Sequence, residues 1–152
     1  MKRTKFASAV IIKDGQILLM HRFNDGKEYY TLPGGGREEG ETAEENALRE
    51  LKEETSIDAS INKLLCKINW DTGNENYYFL CDYKNGEPQL PETSEEFEEM
   101  KNGVQFYEPL WLPIKNLPET LLYPLEIKDL LLEHVENGFP ETTLELSLVF
   151  GE

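Results

Sequence analysis

The stretch from Ala43 to Thr55 leaves this chain few folds to choose from, because it reads as a helix whose charges cannot all face a core. Thr42 is placed to cap its start, and Glu45, three residues on, completes a capping box. At about 100° per residue, Glu50, Glu53 and Glu54 fall within an arc of roughly 100°. Leu48 and Leu51 occupy the adjoining face and offer an apolar anchor to a sheet. Ala43 and Ala47 are small enough to let other segments come close. Three like charges on one arc destabilise an isolated helix. A hard, oxygen-seeking cation such as Mg²⁺ removes that conflict.

Arg49 stands four residues before Glu53 and beside it on the helix. An exposed pair of this kind is worth only ~0.3–0.5 kcal/mol by itself. Glu41 precedes the helix, where the dipole favours a carboxylate. Gly34, Gly35 and Gly36 follow Leu32-Pro33 and let the backbone turn sharply beside a phosphate. They form no P-loop, since no Gly-Lys-Ser/Thr follows, and no dinucleotide fingerprint. Ahead of a carboxylate-bearing helix they describe a loop-helix-loop site.

The whole window reads Gly35-x5-Glu41-x7-Arg49-Glu50-Leu51-x-Glu53-Glu54-x-Ser56-Ile57. It resembles the Nudix box, the phosphate-hydrolysing motif of Nudix hydrolases, with Ser56 where the family has glycine. The resemblance implies that Glu50, Glu53 and Glu54 bind Mg²⁺, with Mn²⁺ as an alternative, assisted by a backbone carbonyl near Gly34 or Gly35. It gives Arg49 the task of orienting a metal-binding glutamate. Metal in such a site neutralises a diphosphate and lowers the pKa of the attacking water. Ser56 falls where the helix ends, a place that often needs a left-handed backbone. Serine kept there costs on the order of 1 kcal/mol. Catalytic bases in this family often lie outside the box. Leu90 to Trp111 loosely resembles a family segment in which a glutamate precedes an aromatic strand, and by that alignment Glu96 is the first candidate, ahead of Glu98 and Glu99. Arg22 and His21 after the second strand, and Arg37 beside the glycines, are candidate phosphate contacts. Trp70, Tyr77, Tyr78, Phe106 and Tyr107 are candidates to stack on a base, against the more ordinary role of core packing.

The 152 residues fit one domain, read here as 1–152, and 39% hydrophobic content with two Trp, seven Tyr and seven Phe suits a folded core. A net charge of −15 opposes binding to bulk nucleic acid and repels a nucleotide unless a cation locally reverses the field. No apolar run approaches a membrane span, and Met1–Lys5 leads into a strand rather than a signal peptide. Cys66 and Cys81 lack metal-ligand spacing and read as buried reduced thiols, which suits the cytoplasm.

Apolar runs over Phe6–Ile12 and Ile17–Met20 bracket the turn dipeptide Asp14-Gly15. Further strands are expected at Tyr29–Leu32, Ile61–Trp70, Tyr77–Tyr83 and Val104–Leu112, with Asn85-Gly86 turning between the last two. A second helix is expected from Pro124 to Asn137-Gly138, with Ile127, Leu130, Leu131 and Val135 as its stripe. Thr142–Phe150 reads as a strand able to pair with a sheet edge or a second subunit, which makes a homodimer an open expectation. Pro88–Lys101 looks irregular. The order predicts an α/β fold with helices packed on a mixed sheet, and the resemblance makes it a Nudix-like α/β/α sandwich.

These readings converge on a Mg²⁺-dependent hydrolase that cleaves the pyrophosphate bond of a small nucleoside diphosphate linked to another moiety. The alternative within the class is a diphosphatase for oxidised nucleoside triphosphates. The alternative from another class is a catalytically silent, nucleotide-sensing module. RNA-cap cleavage is disfavoured by the lack of a basic track.

Overall fold

The computed structural model describes residues 3–150. Strand β1 (Lys5–Val10) lies inside a five-stranded sheet, parallel to β7 (Glu75–Asn85) and antiparallel to β5 (Gly34–Gly36). The long β6 (Asp58–Trp70) pairs antiparallel with β7, and β10 (Leu144–Leu148) joins β6 in parallel at the far edge. A second sheet is built on β3 (Gln16–Asn24). It is flanked by β2 (Ile12–Lys13), β4 (Lys27–Thr31) and β8 (Gln105–Pro113), and the short β9 (Leu122–Tyr123) pairs with β4.

Side chains alternate across a strand, so one sheet serves two cores. Ala7 and Ala9 of β1, with Phe79 and Cys81 of β7, face α1 (Ala43–Thr55) and bury its Ala47 and Leu51. Val10, Tyr78, Cys66 and Ile68 face the other way and pack with Ile127, Leu130 and Leu131 of α3 (Leu125–His134). The result is the expected α/β/α sandwich around mixed β-structure. Both cysteines are buried, free thiols, pushed up by burial to about 11 for Cys66 and about 12 for Cys81. No helix among the described residues is long and apolar enough to cross a membrane.

Several local expectations change. Asn85-Gly86 does not join a hairpin, because β7 is already paired on both sides and β8 pairs instead with β3. Pro88–Lys101 is not wholly irregular: it contains a short helix, α2 (Glu95–Met100), whose cap Ser94 accepts from the Phe97 N–H at 3.1 Å. The glycine triplet is the edge strand β5 rather than a free loop. The last strand pairs within its own chain, and α3 ends at His134, short of Asn137-Gly138.

Candidate active site

The acidic helix forms as its own chemistry dictates. Thr42 Oγ1 accepts from the Glu45 N–H at 3.1 Å, and Glu45 Oε1 accepts from the Thr42 N–H at 2.9 Å, a complete capping box. At the other end Ser56 adopts φ 67 and ψ 10, the left-handed conformation expected of the position. Between the caps, Leu51 and Ala47 fix the helix to the sheet, which turns the glutamates toward β5.

Arg49 is the hub of that face. Its Nε and Nη2 contact both oxygens of Glu41, at 2.5 and 3.1 Å, and Nη2 also donates to the Gly36 carbonyl at 2.8 Å. Its Nη1 reaches Glu50 at 2.9 Å and Glu53 at 3.1 Å. The guanidinium hydrogen bond holds the Glu41 carboxyl below the usual range. Glu41 is thus more than a charge at the helix start, because it anchors the arginine that steers Glu50. Sequence reasoning also passed over Asn46. It is fully buried, and its Nδ2 donates to Gly35 and Gly36 carbonyls at 3.2 Å each, tying the glycine strand to the helix. A polar residue between Ala43 and Ala47 on the packed face was the available signal.

Glu50, Glu54 and Glu96 come together, one oxygen from each lying within 4.8 Å of the others. Glu50 and Glu54 are buried on α1, and Glu96 arrives from α2. Burial raises all three carboxyls above the ordinary range, Glu54 well above it; repulsion from Glu96 and Glu50 adds to the rise at Glu54, from Glu50 at Glu96, and from Glu53 at Glu50. Glu54 also accepts a backbone hydrogen bond from Gly34. At Gly35 a Cβ would lie 2.5 Å from the carboxyl carbon of Glu50, so any larger residue would displace that carboxylate from its place in the cluster. Glu53, half exposed, stays at the rim with Arg49 and lies outside the cluster.

The donor set fits a hard divalent ion. It consists only of carboxylate oxygens, two of its three residues are buried, and among the described residues Arg49 is its one cationic partner. Oxygens around octahedral Mg²⁺ are about 3 Å apart when adjacent and about 4.2 Å when opposite. The observed spread therefore needs only a slight contraction, or water in some positions.

The carboxylates open into a cavity of about 200 Å³ that Arg22 and Tyr107 also line. The Arg22 guanidinium carbon sits 4.6 Å from the Tyr107 ring centroid and 5.4 Å from that of Tyr29. One Nη donates to Tyr107 Oη at 3.2 Å, while the buried Nε has no partner. Tyr107 donates in turn to Glu99 at 2.6 Å, and burial together with that bond pushes its phenol up to about 12. Thr31 and Leu32 connect this cavity to a larger cleft of about 480 Å³, lined by Trp70, Tyr78, Tyr123, Asn74 and Asn76 and, among the described residues, by no charged side chain.

Other candidates go elsewhere. Arg37 lines a separate groove with Arg3 and Lys5 and lies over the Tyr77 ring. His21 points away from Arg22 along the strand and stacks on Tyr30, with centroids 4.7 Å apart. Phe106 packs edge-on against His21.

A carboxylate-bearing, capped helix set behind a glycine strand in an α/β/α sandwich defines a class, and comparison with known proteins gives it a name. The family model described as NUDIX domain matches residues 2–130, so the chain belongs to the Nudix hydrolase family. A Mycobacterium tuberculosis (strain CDC 1551 / Oshkosh) protein named "Putative mutator protein MutT4" is 30% identical over 123 residues, covering 76% of this chain and 47% of that protein. An ADP-ribose pyrophosphatase from Methanocaldococcus jannaschii is 47% identical over 57 residues, 37% of this chain and 34% of the relative. The chain thus spans less than half the length of these relatives. In architecture it is similar to a NUDIX hydrolase from Nitrosomonas europaea, with TM-score 0.74, 16% identity, and coverage of 98% of this chain and 80% of that one.

Proposed function

We propose that this chain is a Mg²⁺-dependent hydrolase that cleaves the pyrophosphate bond of a nucleoside diphosphate linked to another moiety. The observation that carries the reading is the convergence of Glu50, Glu54 and Glu96 beside an uncharged, aromatic cleft. Buried carboxylates with raised pKa values have no stabilising purpose alone, and a cation resolves the conflict. When bound, Mg²⁺ neutralises the diphosphate and lowers the pKa of the attacking water. Glu50 and Glu54 would hold it, with Glu96 as the third carboxylate rather than a remote base. Glu53 keeps one carboxylate oxygen on Arg49 at the rim.

The chain's own groups account for the remaining work. Arg49 fixes the rotamer of Glu50 through Glu41 and the Gly36 carbonyl. Arg22, clamped between Tyr29 and Tyr107, offers its free Nε to a phosphate oxygen. The cleft favours a flat, neutral group such as a nucleobase, because no charged side chain lines it to meet an anion. Water adds to one phosphorus of the bridge and the bridging oxygen leaves with the other, giving a nucleoside monophosphate and a second phosphorylated product. The relative named ADP-ribose pyrophosphatase supports the linked-diphosphate reading. The relative named as a mutator protein keeps an oxidised nucleoside triphosphate, split to monophosphate and pyrophosphate, as the second reading.

A panel of nucleoside diphosphate derivatives, nucleoside triphosphates and their oxidised forms, incubated with Mg²⁺ and read by chromatography, tests the proposal. Monophosphate release from one class, lost in Glu54→Gln, is the expected result. Tight binding without turnover across the panel would move the chain to the sensing class.

A further inference from the structure

Glu96 reaches the carboxylate cluster on an arm, residues 86–103, that adds no residue to either apolar core. Its position is set by the packing of α2 on β8 together with discrete polar tethers. On the upstream side the Gln89 N–H donates to the Thr55 carbonyl at 2.9 Å, and Ser56 Oγ donates to the Gln89 carbonyl at 2.6 Å. Gly86 packs so closely that a Cβ would lie 2.7 Å from the Ser56 carbonyl oxygen. On the downstream side Tyr107 donates to Glu99, one turn beyond Glu96 on the same short helix.

Ser56 is the one position where the chain departs from the box glycine, and its φ of 67 is a conformation that glycine adopts without cost. A glycine there would relieve the backbone but supply no hydroxyl to Gln89. We propose that Ser56 is a positioning residue: its hydroxyl, together with Tyr107, latches the arm onto the end of α1 so that Glu96 completes the set with Glu50 and Glu54. This rests on the reading of Glu96 as the third carboxylate.

The test is Mn²⁺ affinity of the full chain by electron paramagnetic resonance, without substrate, alongside amide exchange over residues 95–101. Ser56→Gly should weaken Mn²⁺ binding roughly three- to tenfold, the size of one net hydrogen bond. It should also speed exchange in the arm, while leaving Tm unchanged or higher. Ser56→Asn, which tolerates the left-handed backbone and keeps a donor, should recover most of the affinity. Tyr107→Phe should act in the same direction as Ser56→Gly. Glu96→Gln should weaken binding alone, and should add less than its full effect on top of Ser56→Gly. Wild-type affinity in Ser56→Gly, with a weakened Glu96→Gln, overturns the latch and leaves the metal reading intact. Wild-type affinity in Glu96→Gln overturns the metal reading of Glu96, and the latch with it.

Discussion

Helix α1 and the arm that carries α2 deliver carboxylates to the same few cubic ångströms by opposite means. The first is capped at both ends and inserts Ala47 and Leu51 into a core. The second is six helical residues long, buries none of them, and hangs on hydrogen bonds to Ser56, Thr55 and Tyr107. The rigid element carries the groups that suffer most from burial, since only a well-packed scaffold can hold Glu50 and Glu54 against their own repulsion. The tethered element brings the last charge, Glu96, to the cluster.

Substitutions separate the two designs. Leu51→Ala should destabilise the fold by about 2–5 kcal/mol, measured by denaturant unfolding, because it empties a site in the core beneath α1. No substitution at Phe97 on the arm should approach that figure. Glu54→Gln should lower kcat by roughly 10²- to 10³-fold yet raise the Tm of the metal-free protein, since it removes a desolvated charge. A fall in both would show that the carboxylate supports the fold rather than the site. Arg49→Lys should cost ~10–100-fold in activity, because an ammonium cannot span Glu41, Glu50 and the Gly36 carbonyl together. Thr42→Ala should cost about 1 kcal/mol of global stability, while Ser94→Ala, an equivalent cap on the arm, should leave the unfolding midpoint nearly unchanged and speed exchange locally.

A pH titration gives the smallest but most diagnostic signal. The raised carboxyls of Glu50, Glu54 and Glu96 bind more protons folded than unfolded, so their contribution falls as pH rises through the raised values. Glu41 has the opposite sign: its lowered carboxyl contributes above the ordinary glutamate range and loses that contribution as pH falls. The metal-free Tm should therefore decline as pH rises above the ordinary glutamate range, and the Tm gain on adding Mg²⁺ should grow over the same rise. A gain independent of pH would argue that Mg²⁺ binds away from these glutamates.

Much of the molecule can be read along the chain because its signals are local. The capping box, the apolar stripe of α3 and the alternation that lets one sheet serve two cores all follow from spacing. The left-handed turn at Ser56 also follows from its position at the end of α1. The arm is different. The resemblance of Leu90–Trp111 to a family segment ranks Glu96 ahead of Glu98 and Glu99, but nothing local ties it to Glu50 and Glu54, more than forty residues away on α1. Glu41 and Arg49 are eight residues apart, so their contact depends on how the loop before the helix folds back. Asn85-Gly86 carried a true turn signal, but which strand followed it was settled by pairing partners elsewhere in the sequence.

The chain alone thus specified an acidic, capped helix and the family motif it carries, since both depend on residues within a few turns of one another, and through that resemblance it pointed to the sandwich. Three-dimensional packing brought Glu96 to Glu50 and Glu54, set Glu53 apart with Arg49, and placed an aromatic cleft beside the carboxylates. Those outcomes depend on contacts between segments far apart along the backbone, whose energies are comparable for several competing side chains until the fold fixes one arrangement.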